Sequence, residues 1–132
     1  MATSIYLSNI LLDSVLGNQS FVSNSTLYCA LFTTVPTSLT DSATEVSGGS
    51  YARVSVTNNL TNWPAASARS KKNATAISFP TASASWGTIV GYGFYDASSG
   101  GNLLFWGTFT SVVINNGDHF AFDVNGITAS ES

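Results

Sequence analysis

Residues 86–109, WGTIVGYGFYDASSGGNLLFWGTF, decide the fold class of this chain. Two long runs rich in aromatic and β-branched residues, 86–96 and 103–109, are separated by residues 97–102, ASSGGN. Two such runs joined by a short loop that contains glycine are typical of a β-hairpin. The stretch therefore predicts two long antiparallel strands.

The aromatic side chains of this hairpin allow two interpretations. Exposed rings on a β-domain can stack against sugars, whereas rings in alternating strands are more often core, because burying each contributes a few kcal/mol. We expect the core for Trp86, Tyr92, Phe94 and Trp106. Candidates for an exposed contact surface are Tyr51, Tyr95 and Trp63.

Further strands are predicted on both sides of the hairpin. Residues 27–35, LYCALFTTV, are apolar on both alternating sets, which is typical of a strand buried on both faces. Residues 51–57, YARVSVT, alternate between apolar and polar side chains. The remaining predictions are short strands at 75–79 and 127–129 and a second hairpin formed by 112–114 and 119–124 around the turn 115–118.

Strands at this spacing, separated by turn signals, indicate a mainly β protein. We expect a single domain over residues 1–132: an antiparallel, jelly-roll-like β-sandwich with one short N-terminal α-helix. Residues 58–74, NNLTNWPAASARSKKNA, are predicted to be its one long polar loop. Loops of this length are often functional.

The N-terminal helix is predicted over residues 4–16, SIYLSNILLDSVL, where apolar residues recur near the helical period. Thr3 or Ser4 can cap its start, and Gly17-Asn18 supplies its stop. The apolar arc is too broad for a helix with one solvated side. We therefore expect the helix to lie against the sheet or against a neighbouring subunit.

Charged residues are unusually rare in this chain. They make up 8% of the sequence, against about 25% in ordinary globular domains. The polar surface must come from neutral side chains instead, since the chain has 21 Ser, 15 Thr and 11 Asn. A neutral surface lacks the like-charge repulsion that keeps soluble monomers apart. This favours a protein whose faces are covered by neighbours.

Charge and hydropathy also exclude two classes of partner. The net charge is −3, and binding to a nucleic-acid backbone needs a basic face. No run of about 18 apolar residues is present, so we expect no membrane span. The first 16 residues also lack the basic region and cleavage site of a signal peptide. We therefore expect neither a nucleic-acid partner nor a membrane partner.

Residue types that carry chemistry are scarce and scattered. His119 is the only histidine, and no G-x-S-x-G motif is present to form a hydrolase triad with it. The only cysteine, Cys29, lies in an apolar strand and reads as a small buried hydrophobic residue. The acidic residues show no metal-binding spacing. We expect no enzyme, no catalytic residue, no cofactor and no metal site.

Five segments in fixed order resemble a widespread family of small virion structural proteins of tailed phages. They are LYCALFTTVPT (27–37), EVSGGSYAR (45–53), ISFP (77–80), WGTIVGYGFYDA (86–97) and GGNLLFWGTF (100–109). The resemblance covers about residues 5–128 and implies no catalytic residue. Family members are labelled tail-fibre, minor structural or capsid-associated proteins. The resemblance implies a virion protein that is assembled in the cytoplasm of the bacterial host.

Within the virion, a short chain without repeats cannot form an extended fibre shaft. We favour a capsid decoration, or cement, protein that stabilises capsomer junctions. The alternative is a tail or fibre-base component involved in host attachment, and a second alternative is a carbohydrate-binding β-domain that binds a host glycan. The expected partners are other copies of the chain, a trimer among the options, and major capsid or tail proteins. Candidate protein-contact residues are Ile5, Leu12, Arg53, Trp63, Arg69, Lys71 and Lys72.

Overall fold

The computed structural model describes residues 1–130 of the chain. Within this range the regular elements are antiparallel strands and one N-terminal helix. The predicted domain 1–132 also includes Glu131 and Ser132, which lie outside the described residues. The predicted class, a mainly β antiparallel sandwich with a short N-terminal helix, is confirmed. In chain order the elements are β1 (Ala2–Thr3), α1 (Ile5–Gly17), β2 (Thr26–Thr34), β3 (Thr44–Glu45), β4 (Val54–Thr57), β5 (Ser70–Lys72), β6 (Ile77–Ser78), β7 (Gly87–Tyr95), β8 (Leu103–Ile114), β9 (Ala121–Phe122) and β10 (Thr128–Ser130).

The larger layer is a sheet in the order β1-β8-β7-β2-β3, with β4 also paired to β2. The predicted central hairpin is confirmed as β7 and β8, which place Tyr92 opposite Gly107. Its loop is closed by the Asp96 carboxylate, which accepts the Asn102 backbone N–H at 2.7 Å and the Asn102 side-chain amide at 3.0 Å. This is the turn-capping role expected of an aspartate at such a position.

The smaller layer consists of two short ribbons, β6 with β9 and β5 with β10. Ile77 and Phe122 face each other across the first ribbon and belong to the same buried cluster as Ile89 and Phe94 of β7. The Tyr92 and Phe122 rings are 5.1 Å apart between centroids. The two layers of the sandwich are thus unequal, and the main core lies between them.

Strand β2 is buried on both faces, as its sequence predicts. Cys29 and Leu31 belong to the main core, whereas Ala30 and Phe32 pack on the opposite face with Leu103. None of the four β2 residues is measurably exposed. An uninterrupted apolar strand therefore forms the centre of the sheet.

The predicted second hairpin is wrong. Residues 112–114 continue β8, and β9 pairs with β6 instead of with β8. The reason is that the turn after β8 is hydrogen-bonded to Ala82. The Gly117 N–H donates to the Ala82 carbonyl at 2.7 Å, and the Ala82 N–H donates to the Asp118 carbonyl at 2.9 Å. These bonds direct the chain across to the other layer.

The segment 58–74, predicted as one long loop, contains the strand β5. Lys71 lies opposite Ala129, and Lys72 lies opposite Thr128 in β10. The partner strand is at the other end of the chain, and β5 is only three residues long. Neither property produces a local sequence pattern, which is why the sequence did not reveal β5.

Candidate protein-contact surface

Helix α1 is held in place at both ends. At its start the Ser4 hydroxyl accepts the Leu7 N–H at 3.0 Å, and the Asp41 carboxylate accepts the N–H groups of Ile5 and Tyr6 at 2.8 and 3.0 Å. These bonds satisfy backbone donors that the helix leaves free and place a negative charge at the positive end of its dipole. At its end Asn18 adopts a left-handed conformation (φ 53°). The helix is therefore a fixed element of the surface.

Most of the apolar side chains of α1 face solvent. Leu7 is 4% exposed and packs inward, whereas Val15 and Leu16 are 78% and 81% exposed. Exposed apolar residues continue beyond the helix at Phe21 and Val22. We call this set the α1 surface: Ile5, Tyr6, Leu11, Leu12, Val15, Leu16, Phe21 and Val22.

The α1 surface is large for a monomeric protein. With about 200 Å² for a fully exposed residue of this size, backbone included, the fractional exposures of the eight residues sum to roughly 900 Å². The largest apolar patch on a typical monomer is about 300–600 Å². Patches above that range mark surfaces that bind another protein or a membrane. Of the predicted contact residues, Ile5 and Leu12 belong to this surface.

A cavity of about 580 Å³ lies beside α1. We call it the α1 groove; its lining is mostly apolar and includes Leu7, Ile10, Leu27, Leu104 and Phe105. Residues 20–24, which follow the helix, also line it. The groove and the α1 surface are therefore neighbours on the same part of the molecule.

The prediction that Trp63 is an exposed contact residue is wrong. Its side chain is 7% exposed and packs edge-on against Phe94, with 5.5 Å between ring centroids. Trp63 lines the α1 groove from within the core. Among the described residues its indole N–H has no hydrogen-bond partner.

Arg53, a candidate protein-contact residue, pairs with Glu45 of its own chain. Arg53 Nη2 is 2.8 Å from Glu45 Oε1, and the Arg53 side chain is 7% exposed. Arg53 Nη1 donates to the carbonyls of Ala97 and Gly100, each at 2.8 Å. The guanidinium also lies over the Tyr95 ring, 3.7 Å from its centroid. Arg53 joins parts of this chain and is not free to bind a neighbour.

The surroundings of Arg53 and Tyr51 raise the pKa of both side chains. Desolvation lowers the pKa of Arg53, but the hydrogen bonds and the charge of Glu45 outweigh it, so the pKa is raised overall. The Tyr51 hydroxyl donates to Glu45 Oε2 at 2.6 Å and accepts the Leu31 N–H at 3.0 Å. Burial and the bond to Glu45 raise the pKa of Tyr51. We call Glu45, Tyr51, Arg53 and Tyr95 the Arg53 clamp.

The segments behind the family resemblance meet around this clamp. Residues 45–53 supply Glu45 and Arg53, and residues 86–97 and 100–109 supply the carbonyls that Arg53 binds. The Gly48-Gly49 turn has φ angles of 75° and 58°, and the Gly49 carbonyl accepts the Trp86 indole N–H at 2.8 Å. The shared segments thus hold the fold together instead of forming an exposed site.

The basic residues of segment 58–74 do not form a single patch. Arg69 is exposed and has a left-handed backbone (φ 62°). Lys71 and Lys72 are consecutive in β5, so their side chains point to opposite sides of the ribbon. Lys71 lines the α1 groove together with Ala129, and Lys72 is exposed. The structure therefore brings one predicted basic residue, Lys71, to the α1 groove.

The single cysteine is buried, and the residues that could bind a metal do not cluster in the described part of the chain. Cys29 has no exposed surface, and burial raises the pKa of its thiol. Within residues 1–130 no three His, Cys, Asp or Glu side chains come together in a way that could hold a metal ion. Over the same residues no helix is long and apolar enough to cross a membrane. The α1 surface and its groove are thus the candidate functional site.

Sequence reasoning named two of the eight residues of the α1 surface, Ile5 and Leu12. It missed the other six, among them Val15, Leu16 and the residues that follow the helix. The available signal was the breadth of the apolar arc, because a helix that is apolar on most sides must leave some of those side chains uncovered. Which of them are uncovered depends on how little of the helix the sheet contacts.

Fold and surface define the chain as a small, mainly β protein with an exposed apolar helix. The family model described as Podophage GP4 fiber I protein gp80 matches residues 2–130. The match spans nearly the whole chain, and the protein belongs to this family. The comparison with curated proteins gives no match. The resemblance to tailed-phage virion proteins is therefore confirmed at the level of the family.

Proposed function

We propose that this protein is a non-enzymatic structural subunit of the tail-fibre apparatus of a podophage, where it packs against other virion proteins. The observation that carries the proposal is the family match over residues 2–130, because the description of the matching family is that of a fiber protein. A compact β-sandwich of this size fits a junction or base of a fibre better than a shaft.

Two physical features support a packing role. The α1 surface exposes apolar side chains that an isolated soluble protein would bury. The surface elsewhere is poor in charge, since 8% of the residues are charged, and offers little repulsion between neighbours. A protein with both features gains from being covered in an assembly.

Capsid decoration, the placement favoured by the sequence, is the alternative within the virion. The same apolar helix would serve at a capsomer junction. Glycan binding has less support, because the rings that motivated it are engaged within the chain: Trp63, Trp86, Tyr92 and Phe94 are buried, and Tyr95 stacks on Arg53.

Counting copies in the virion tests the placement. Purified particles of the encoding phage would be analysed by quantitative mass spectrometry, with the portal and the major capsid protein as internal standards. A fibre subunit gives a copy number that matches the symmetry of the tail, and antibody label in electron micrographs lies at the tail. A copy number that follows the capsomer count, with label over the head, would assign the protein to the capsid instead.

Particles that lack the protein provide a second test. Loss of a fibre subunit should reduce adsorption to host cells and leave the retention of DNA on heating unchanged. Loss of a decoration protein should have the opposite effects. Complementation with the wild-type chain is the control for both measurements.

A further inference from the structure

We propose that the α1 surface and the α1 groove form the interface between two copies of this chain. The exposed ridge of α1 on one copy would pack into the groove beside α1 on the other. The inference goes beyond the proposed function, because it names the partner and the surface and holds at any position in the virion.

The area of the α1 surface fits a stable protein–protein interface. Its exposed residues correspond to roughly 900 Å², and a standard interface buries about 800 Å² on each partner. The most exposed members, Val15, Leu16 and Val22, are between 78% and 83% exposed and form the outer part of the surface. A second copy of the same patch supplies an equal area.

Ridge and groove also lie on the same chain, which is what a symmetric pair requires. In a two-fold interface each copy contributes the same patch, so a projecting element must find its recess on an identical molecule. Here the recess has a volume of about 580 Å³ and lies along the same helix, so that Tyr6 and Leu11 belong both to the exposed surface and to the wall of the recess.

The scarcity of charge on the α1 surface favours a second copy of the chain over a highly charged partner. Asp13 is the only charged residue within Ile5–Gly17, so two identical surfaces meet with little repulsion. A strongly acidic or basic partner would find few opposite charges to pair with. The charged side chains that line the groove, Lys71 and Asp96, are one of each sign.

Sedimentation velocity on the full-length chain tests the proposal. We expect wild type to associate in the micromolar range, and Leu12→Lys or Leu16→Lys to weaken association about tenfold or more, the loss typical of a central interface residue. These side chains are 57% and 81% exposed, so the variants should fold, which circular dichroism verifies. The matched control is Leu39→Lys, since Leu39 is 89% exposed and lies outside α1.

The proposal would be overturned if the wild-type chain stayed monomeric. It would also be overturned if Leu39→Lys weakened association as much as the α1 variants do. A monomer that binds a different virion protein through α1 would also overturn it, while leaving the proposed fibre role intact.

Cross-linking gives a readout that does not depend on association strength alone. Because Cys29 is buried, a mixture of Leu16→Cys and Lys71→Cys chains treated with a short bismaleimide should cross-link the ridge of one copy to the groove of the other, and a mixture of Leu39→Cys and Lys71→Cys chains should not. Equal yields in the two mixtures would count against the interface.

Discussion

Arg53 Nη2 lies 2.8 Å from Glu45 Oε1, and this ion pair connects β3 to the segment that leads into β4. The same guanidinium binds two carbonyls of the loop between β7 and β8. One side chain thus joins three segments of the chain. An arginine suits this position because its planar group offers several donors in fixed directions.

Replacing Arg53 should destabilise the fold strongly. We expect Arg53→Ala to lower the free energy of unfolding by about 3 kcal/mol, because it leaves Glu45 without its ion pair and two carbonyls without their donor. Urea unfolding followed by tryptophan fluorescence measures the change. Arg69→Ala is the matched control, since Arg69 is exposed and should shift stability by no more than about 0.5 kcal/mol. A loss below about 1 kcal/mol for Arg53→Ala would contradict the clamp.

The neighbouring glycines of the Gly48-Gly49 turn should differ in their tolerance of a side chain. Both have left-handed backbones, but a Cβ at Gly49 would meet Trp86 Nε1 at 2.9 Å, whereas a Cβ at Gly48 meets nothing within 4 Å. Gly48→Ala should therefore cost about 1 kcal/mol of backbone strain, and Gly49→Ala should cost about 1–3 kcal/mol more through the contact with Trp86. Thermal unfolding of the two variants compares them directly. Equal losses would show that the turn, and not the Trp86 contact, sets the cost.

The sequence was informative where a single segment determines its own structure. The two aromatic and β-branched runs in residues 86–109 predicted the hairpin of β7 and β8, and the uniformly apolar run at 27–35 predicted the doubly buried β2. The helix α1 has its own capping residue in Ser4 and a stop in Asn18. These features depend on neighbours in the chain, so a local pattern reveals them.

The sequence was uninformative where distant segments meet. β5 pairs with β10 across more than fifty residues, and β9 pairs with β6 although it follows β8 directly. Trp63 appeared exposed because its neighbours are polar, yet its ring packs on Phe94 of β7. In the same way the alternation in residues 51–57 gives Arg53 a polar, outward position, but the β7–β8 loop folds over it. Burial of these two side chains depends on tertiary contacts that no local period encodes.

Asn73 should be one of the least replaceable polar residues. It is 1% exposed, its side-chain amide donates to the carbonyls of Thr75 and Asp123 at 2.9 Å, and its side-chain oxygen accepts the Ile127 N–H at 2.9 Å. Asn73→Ala would leave these buried backbone groups unpaired and should cost about 2–4 kcal/mol. Urea unfolding measures the loss, with the exposed turn residue Asn116 replaced by Ala as the control. A loss as small as in the control would show that water replaces the Asn73 bonds.

Stability should fall at alkaline pH. Burial raises the pKa of Tyr92 from 10.0 to about 12 and also raises those of Tyr51 and Cys29. Above pH 10 the unfolded chain therefore releases protons that the folded chain still holds, so the stabilising contribution of Tyr92 is complete below pH 10 and is lost as pH rises to about 12. Chemical unfolding at a series of pH values measures the decline. Tyr92→Phe, which removes one of these groups, should make the decline shallower, and an unchanged slope would contradict the assignment.

Incorporation into virions should depend on the α1 surface. Leu16→Lys places a charge on a side chain that is 81% exposed in the isolated chain, so it should leave folding intact but require burial of an ammonium group wherever α1 is covered. We expect phage carrying Leu16→Lys to yield particles depleted of this protein at least about tenfold relative to wild type. Immunoblots of purified particles, normalised to the major capsid protein, measure the depletion, and unfolding of the purified variant verifies its stability. Leu39→Lys is the matched control and should be incorporated normally, because Leu39 is equally apolar and 89% exposed but lies outside the α1 surface. Normal incorporation of Leu16→Lys would show that the helix remains uncovered in the assembled particle.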